Sequence, residues 1–196
     1  KHYMSATISS INYCPVKSVS FQAIEKCKIK KNVGIVGDRI FAFAKGLDSN
    51  QVKLFQNNSE ERKGKWNKIL TLKNSPILNK YNFLFNENKL TLTSQDEKIL
   101  TINVNKPTEY DLLSNKILEL ESTLQKPIVL MRNNDLPFFD TSISNKTVLS
   151  HSVSLLNTRS VKDFQSKINQ KIETQRFRAN ICIDGIEPWK EREWIG

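Results

Sequence analysis

Tyr81-Asn-Phe-Leu-Phe-Asn-Glu-Asn-Lys-Leu-Thr-Leu-Thr93 decides the fold class. Two strand-length runs, Tyr81 to Phe85 and Lys89 to Thr93, flank Asn86-Glu-Asn88, a connection of hairpin length made of turn formers. Lys98 to Val104 extends the same sheet. Toward the N-terminus, Ala6 to Tyr13 reads as a strand that ends at Cys14-Pro15, because proline cannot donate to a ladder. Phe21 to Lys31 is a second strand, and Gly34-Ile-Val-Gly-Asp-Arg39 is a turn feeding a third, Ile40 to Ala44. Residues 45 to 80 are polar and aperiodic, which predicts loop with short extended pieces.

Toward the C-terminus the period changes. Pro107-Thr-Glu stands where a helix begins, and Leu113, Ile117, Leu120 and Leu124 recur at helical spacing. Pro127 to Met131 returns to strand. A second helix is expected from about Ser160, with Val161, Phe164 and Ile168 on one face. A last strand is expected from Phe177 to Ile183, closing at Asp184-Gly185. Many short strands with two helices make a β-rich α+β chain, barrel-like in character. Where the strand-rich part meets the first strong helix, the chain divides into regions 4–104 and 105–196.

Composition narrows the function classes. The chain of 196 residues carries a net charge of +10, which raises an anionic partner. Of its 30 cations, 23 are Lys and only seven Arg, alongside 20 Asn, a joint excess typical of compositional bias. Clustered Arg interleaved with aromatics, the mark of a nucleic-acid reader, is missing, so no specific nucleic acid is expected. Apolar runs are too short to span a bilayer, and no signal peptide opens the chain, which points to a cytoplasmic protein without a membrane partner. Lys1-His2-Tyr3 ahead of Met4 reads as a cloning remnant. Cys14, Cys27 and Cys182 have no metal-ligand spacing and read as reduced thiols, and His151 has no second ligand near it.

Four constellations could carry chemistry. Cys14-Pro-Val-Lys-Ser18 offers an ammonium (Lys17), a hydroxyl (Ser18) and loop amides to an anion, or is a strand-ending turn. Gly34 to Arg39 is a tight turn exposing Arg39, or a hairpin with a local Asp38–Arg39 ion pair. Ser154-Leu-Leu-Asn-Thr-Arg-Ser160 runs a strand into a helix whose start, with Asn157 and Ser160, can receive an anion or simply cap itself. Arg176-Phe-Arg-Ala-Asn180, read as a strand, places Arg176, Arg178 and Asn180 on one face. Two guanidiniums on one face are costly to bury without an anion, and surface salt bridges are the plainer alternative.

Taken in order, Tyr13-Cys-Pro-Val-Lys-Ser18, Gly37-Asp-Arg39, His151-Ser-Val-Ser-Leu-Leu-Asn-Thr-Arg-Ser160, Arg176-Phe-Arg-Ala-Asn180 and Trp189-Lys-Glu-Arg-Glu-Trp194 resemble the MOSC proteins. That family is named for the C-terminal domain of molybdenum cofactor sulfurase, and the chain looks most like its bacterial members with an N-terminal β-barrel region. The mitochondrial amidoxime reducing component is a distant relative. The resemblance implies a MOSC-type β-barrel that binds the molybdenum cofactor (molybdopterin). Its cofactor-binding residues would be Lys17, Ser18, Arg39, Asn157, Ser160, Arg178 and Asn180. Sulfur transfer or molybdenum-dependent reduction is the implied activity, with a small-molecule substrate and a redox partner.

There are departures from the family pattern. Cys14 stands where an aromatic usually precedes the proline, and Asn157 replaces a threonine of the mitochondrial branch. The family's functional cysteine follows the segment that closes this chain, and Cys182 is not its equivalent. The resemblance therefore implies a C-terminally incomplete barrel, inactive in this form. A non-catalytic module for an anionic or phosphorylated ligand is the alternative reading.

Overall fold

The computed structural model describes residues 5–139 and 152–194. Lys1 to Met4, His151 and the closing Ile195-Gly196 lie outside the described residues. In chain order the strands are β1 (Thr7–Tyr13), β2 (Gln22–Ile24), β3 (Ile29–Lys30), β4 (Gly34–Ile35), β5 (Phe41–Lys45), β6 (Tyr81–Asn86), β7 (Lys89–Ser94), β8 (Glu97–Asn103), β9 (Ile128–Arg132), β10 (Leu155–Asn157) and β11 (Ile181–Asp184). The α-helices are α1 (Ser49–Asn57), α2 (Tyr110–Leu120) and α3 (Thr158–Ile168). The chain is thus mixed α/β. Its strands form sheets ordered β10-β11-β1-β2, β3-β4, β5-β9 and β6-β7-β8, and among the described residues none closes into a barrel. No described helix is long and apolar enough to cross a membrane.

Two compact units divide the chain elsewhere than at residues 104/105. One comprises residues 1–13, 23–28 and 152–196, and the other 14–22 and 29–151. Helix α2 belongs to the same core as the hairpin before it. Leu113 and Ile117 of α2 are buried with Leu90, Leu92 and Ile102 of β7 and β8 in a single apolar cluster.

That larger unit is organised by β5. Its sequence Phe-Ala-Phe-Ala alternates large and small residues, and all four are buried. Side chains alternate across a strand. Phe41 and Phe43 enter the cluster that holds Phe83, Leu90 and Leu130, while Ala42 and Ala44 enter a second cluster with Val52, Phe55, Met131 and Phe138. Antiparallel pairing sets Phe43 opposite Leu130 and Ala42 opposite Met131, so β9 is shared between both cores in the same way. The expected hairpin is present: Phe83 pairs with Leu92, and Asn86 with Lys89.

Residues 45 to 80 depart most from expectation. They hold α1 and the short 3-10 turns Glu60–Arg62, Trp66–Lys68 and Pro76–Lys80. Helix α1 starts on a capping box: the Asp48 carboxylate accepts from the Asn50 and Gln51 amides, and the Gln51 side chain accepts from the Asp48 amide. The helix turns Val52 and Phe55 inward. Arg62 anchors the next turn, with a side chain among the largest fully buried ones. Its guanidinium donates to the carbonyls of Phe55, Gln56, Leu136 and Pro137 and lies 4.1 Å from the centroid of the Phe138 ring. Burial lowers its pKa to about 10.

Phe21 to Lys31 is two short strands rather than one. β3 pairs with β4 as a hairpin, Ile29 opposite Ile35, because Asn32 and Gly34 take left-handed backbone that turns the chain.

Candidate functional site

In the unit containing α3, the N-terminus of that helix forms the most developed polar site. Asn157 ends β10 and caps the helix, its Oδ1 accepting from the Arg159 amide at 3.1 Å. Asn157 is fully buried and Ser160 nearly so. Their remaining groups face a carboxylate of the chain itself. Ser160 Oγ donates to Glu191 Oε1 at 2.6 Å, and Asn157 Nδ2 donates to Glu191 Oε2 at 2.8 Å.

The segment that brings Glu191 there is tied down at further points. Asn157 Nδ2 also donates to the Glu187 carbonyl (2.8 Å), and Ser160 Oγ accepts from the Trp189 amide (2.7 Å). The indole Nε1 of Trp189 donates to Asp163 Oδ2 at 2.5 Å, and Lys167 Nζ sits 5.7 Å from its ring centroid. Residues 187–194, ending in the 3-10 turn Lys190–Trp194, are therefore a strap laid along the first two turns of α3.

Electrostatics favour the ionised strap. Partial burial pushes the Glu191 carboxyl up, but hydrogen bonds from Ser160 and Asn157 outweigh it and hold the pKa below the usual carboxylate value. The partial positive charge of a helix N-terminus acts in the same direction. Asp163 is also lowered, first by Lys167 and then by the Trp189 indole. The side-chain donors of this corner are taken up by a carboxylate of the chain itself.

Asn180 has a different task. Its Oδ1 accepts from the amide and hydroxyl of Ser154 (3.1 and 2.9 Å), and its Nδ2 donates to the Asn12 carbonyl at 3.2 Å. The Asn12 amide returns a bond to the Asn180 carbonyl at 2.7 Å. This side chain stitches the segment before β10 to β1, so it is occupied in holding the sheet together.

The expected strand over Arg176 to Asn180 is corrected. Thr174–Phe177 is a 3-10 turn and Arg178 caps it in left-handed conformation, φ 51. Amides of Arg176 and Arg178 bond back to the carbonyls of Glu173 and Gln175, which removes the extended geometry. Arg176, Arg178 and Asn180 consequently do not share a strand face. Strand β11 starts only at Ile181 and runs parallel to β10, Leu156 beside Cys182.

In the other unit, the structure joins the Lys17 loop to the Arg39 turn through backbone. The Arg39 amide donates to the Cys14 carbonyl (2.7 Å), the Phe41 amide to Pro15 (2.9 Å), and the Lys17 amide to Phe41 (2.8 Å). The Arg39 guanidinium forms an ion pair with the buried Asp38 and lies 5.1 Å from the Phe139 ring centroid. Asp38 also accepts from the Cys14 amide at 2.7 Å, so the local ion pair is a lock on the loop. Lys17 is buried, and Ser18 is half-buried with left-handed φ of 65.

All three cysteines are free thiols, Cys14 and Cys182 buried. Among the described residues no group of three or more His, Cys, Asp or Glu side chains is placed to hold a metal. No protein-family model matches the chain, and no curated protein matches it with significance.

Sequence reasoning missed Arg62 and Glu191. Glu191 was legible only as one acid in the Trp189-Lys-Glu-Arg-Glu-Trp194 segment. Nothing in local spacing ties it to a serine 31 positions earlier.

Proposed function

We propose that this chain is a MOSC-type protein that receives the anionic group of a molybdopterin-like ligand at the start of α3. Glu191 takes the same donors that such a group would use. The observation that carries the reading is the carboxylate held by Ser160 Oγ and Asn157 Nδ2, two buried side chains at a helix N-terminus. A site that retains an ionised carboxylate against partial desolvation has donors suited to a phosphate oxygen, which accepts the same bonds more strongly.

The residues fit the cofactor in part. Asn157 and Ser160 would hold its anionic group, whereas Asn180 is spent on the sheet and Arg39 on Asp38. When bound, the cofactor would supply molybdenum for sulfur transfer or two-electron reduction. This chain's contribution is to bind and orient the anionic end and to give up the Glu191 contact as it does so. A non-catalytic module for a small phosphorylated ligand uses the same two side chains, and cofactor retention separates the two readings.

The test is to express the chain and its Glu191→Ala variant in molybdate-supplemented cells and assay the purified proteins for pterin and molybdenum. The reading expects pterin in the variant above the wild-type level. Phosphate binding without pterin would favour the non-catalytic module, and absence of both from both proteins would overturn the proposal.

A further inference from the structure

The larger unit carries a cleft that the α3 corner does not involve. It lies between α1 and the 3-10 turns that follow it and has a volume of about 190 Å³. Its floor is apolar: Leu47 and Phe55 line it and are almost fully buried, while Leu54, 52% exposed, forms one wall. Its rim carries two ammonium groups, Lys65 and Lys68, and one carboxylate, Glu61.

The two lysines differ. Lys65 Nζ is paired with Glu61 at 3.0 Å and lies 5.6 Å from the Phe55 ring centroid. Lys68 has no carboxylate partner among the described residues. Instead it stands close enough to Lys45 that, after burial, its repulsion lowers the Lys45 pKa. An apolar floor beside an ammonium without a carboxylate partner among the described residues suits an anion with an apolar body.

We propose that this cleft binds a small amphiphilic monoanion, an aryl or short alkyl carboxylate, its apolar part over Leu47, Leu54 and Phe55 and its carboxylate on Lys68. The volume is below the roughly 300–1,000 Å³ of pockets for drug-sized ligands, which limits the guest to one ring or a short chain. Gln51, at the same rim, offers side-chain N–H donors, its Oε1 being used on the Asp48 amide.

The experiment uses the whole chain, 15N-labelled, titrated with 3-phenylpropionate and with its uncharged amide as control. With about eleven non-hydrogen atoms at the modest end of ligand efficiency, the carboxylate should bind with a Kd of about 1–5 mM. Amide shifts should be confined to residues 47–68. Lys68→Glu, at a solvent-accessible position, should weaken binding at least tenfold, and Leu54→Ala about threefold, with the dispersed spectrum of each variant confirming its fold. No shifts up to 20 mM carboxylate, equal affinity for the amide, or equal affinity in Lys68→Glu would each overturn the proposal.

Discussion

Replacing Ser160 by alanine tests the strap directly. The hydroxyl makes two bonds from a position 3% exposed: it accepts from the Trp189 amide and donates to Glu191. A neutral hydrogen bond contributes about 1 kcal/mol and one to an ionised group about 1.5–3 kcal/mol. Glu191 keeps some contact with water, so screening discounts the charge-assisted bond to about 1 kcal/mol, and the two together come to about 2 kcal/mol. That loss should raise the open population of residues 187–194 about thirtyfold, at 1.4 kcal/mol per decade. Hydrogen exchange reads this at the Arg192 amide, which donates to the Trp189 carbonyl inside the strap. Its protection depends on the strap's own turn, whereas the Trp189 amide loses its acceptor in the variant whether or not the strap leaves. Ser160→Ala should lower Arg192 protection by ten- to fiftyfold while amides in β5 and β9 keep theirs. Unchanged Arg192 protection would refute the view that Ser160 holds the strap.

Acid should release the same segment. Glu191 and Asp163 both have folded pKa values below their ordinary ones, so their contribution is complete above about pH 4.5 and is lost as the pH falls through the folded values. Tryptophan fluorescence should show a transition with its midpoint below 4.5, absent from a Glu191→Gln, Asp163→Asn double variant. Arg62→Ala leaves the carbonyls of Phe55, Gln56, Leu136 and Pro137 without their charged donor. It should destabilise the larger unit by about 3–5 kcal/mol in urea unfolding, and a change under 1 kcal/mol would show that water replaces the guanidinium. Gly185→Ala should destabilise the smaller unit by about 2–3 kcal/mol, read as faster exchange across β1 and β11, because φ is +90 and an added Cβ would lie 2.5 Å from the Ser5 carbonyl oxygen.

What the sequence revealed depended on whether a residue's partner was near in the chain. Hairpin β6–β7 and helix α2 were legible because alternation and the Leu113–Ile117 spacing are local patterns answered by one core. Helix α1 was hidden in a stretch rich in Asn, Gln and Lys, residues that weaken the apolar period, although Asp48 and Gln51 carried its capping signature. Arg176 to Asn180 reads as an alternating strand, but the backbone follows the carbonyls of Glu173 and Gln175 into a turn, a choice that side-chain pattern does not encode. The strand-to-helix corner at Asn157 and Ser160 was legible from residue type, Asn157 being the cap. That its guest is Glu191 depends on a return of the chain that no periodicity records.

The central claim is that the α3 corner is an anion site which Glu191 holds until a ligand displaces it. Calorimetric titration of inorganic phosphate into the wild-type chain and Glu191→Ala measures this competition. Removing the two screened hydrogen bonds of Glu191, about 2 kcal/mol together, should tighten phosphate binding about thirtyfold in the variant. Equal affinity in the two proteins, or no binding to either, would contradict the claim.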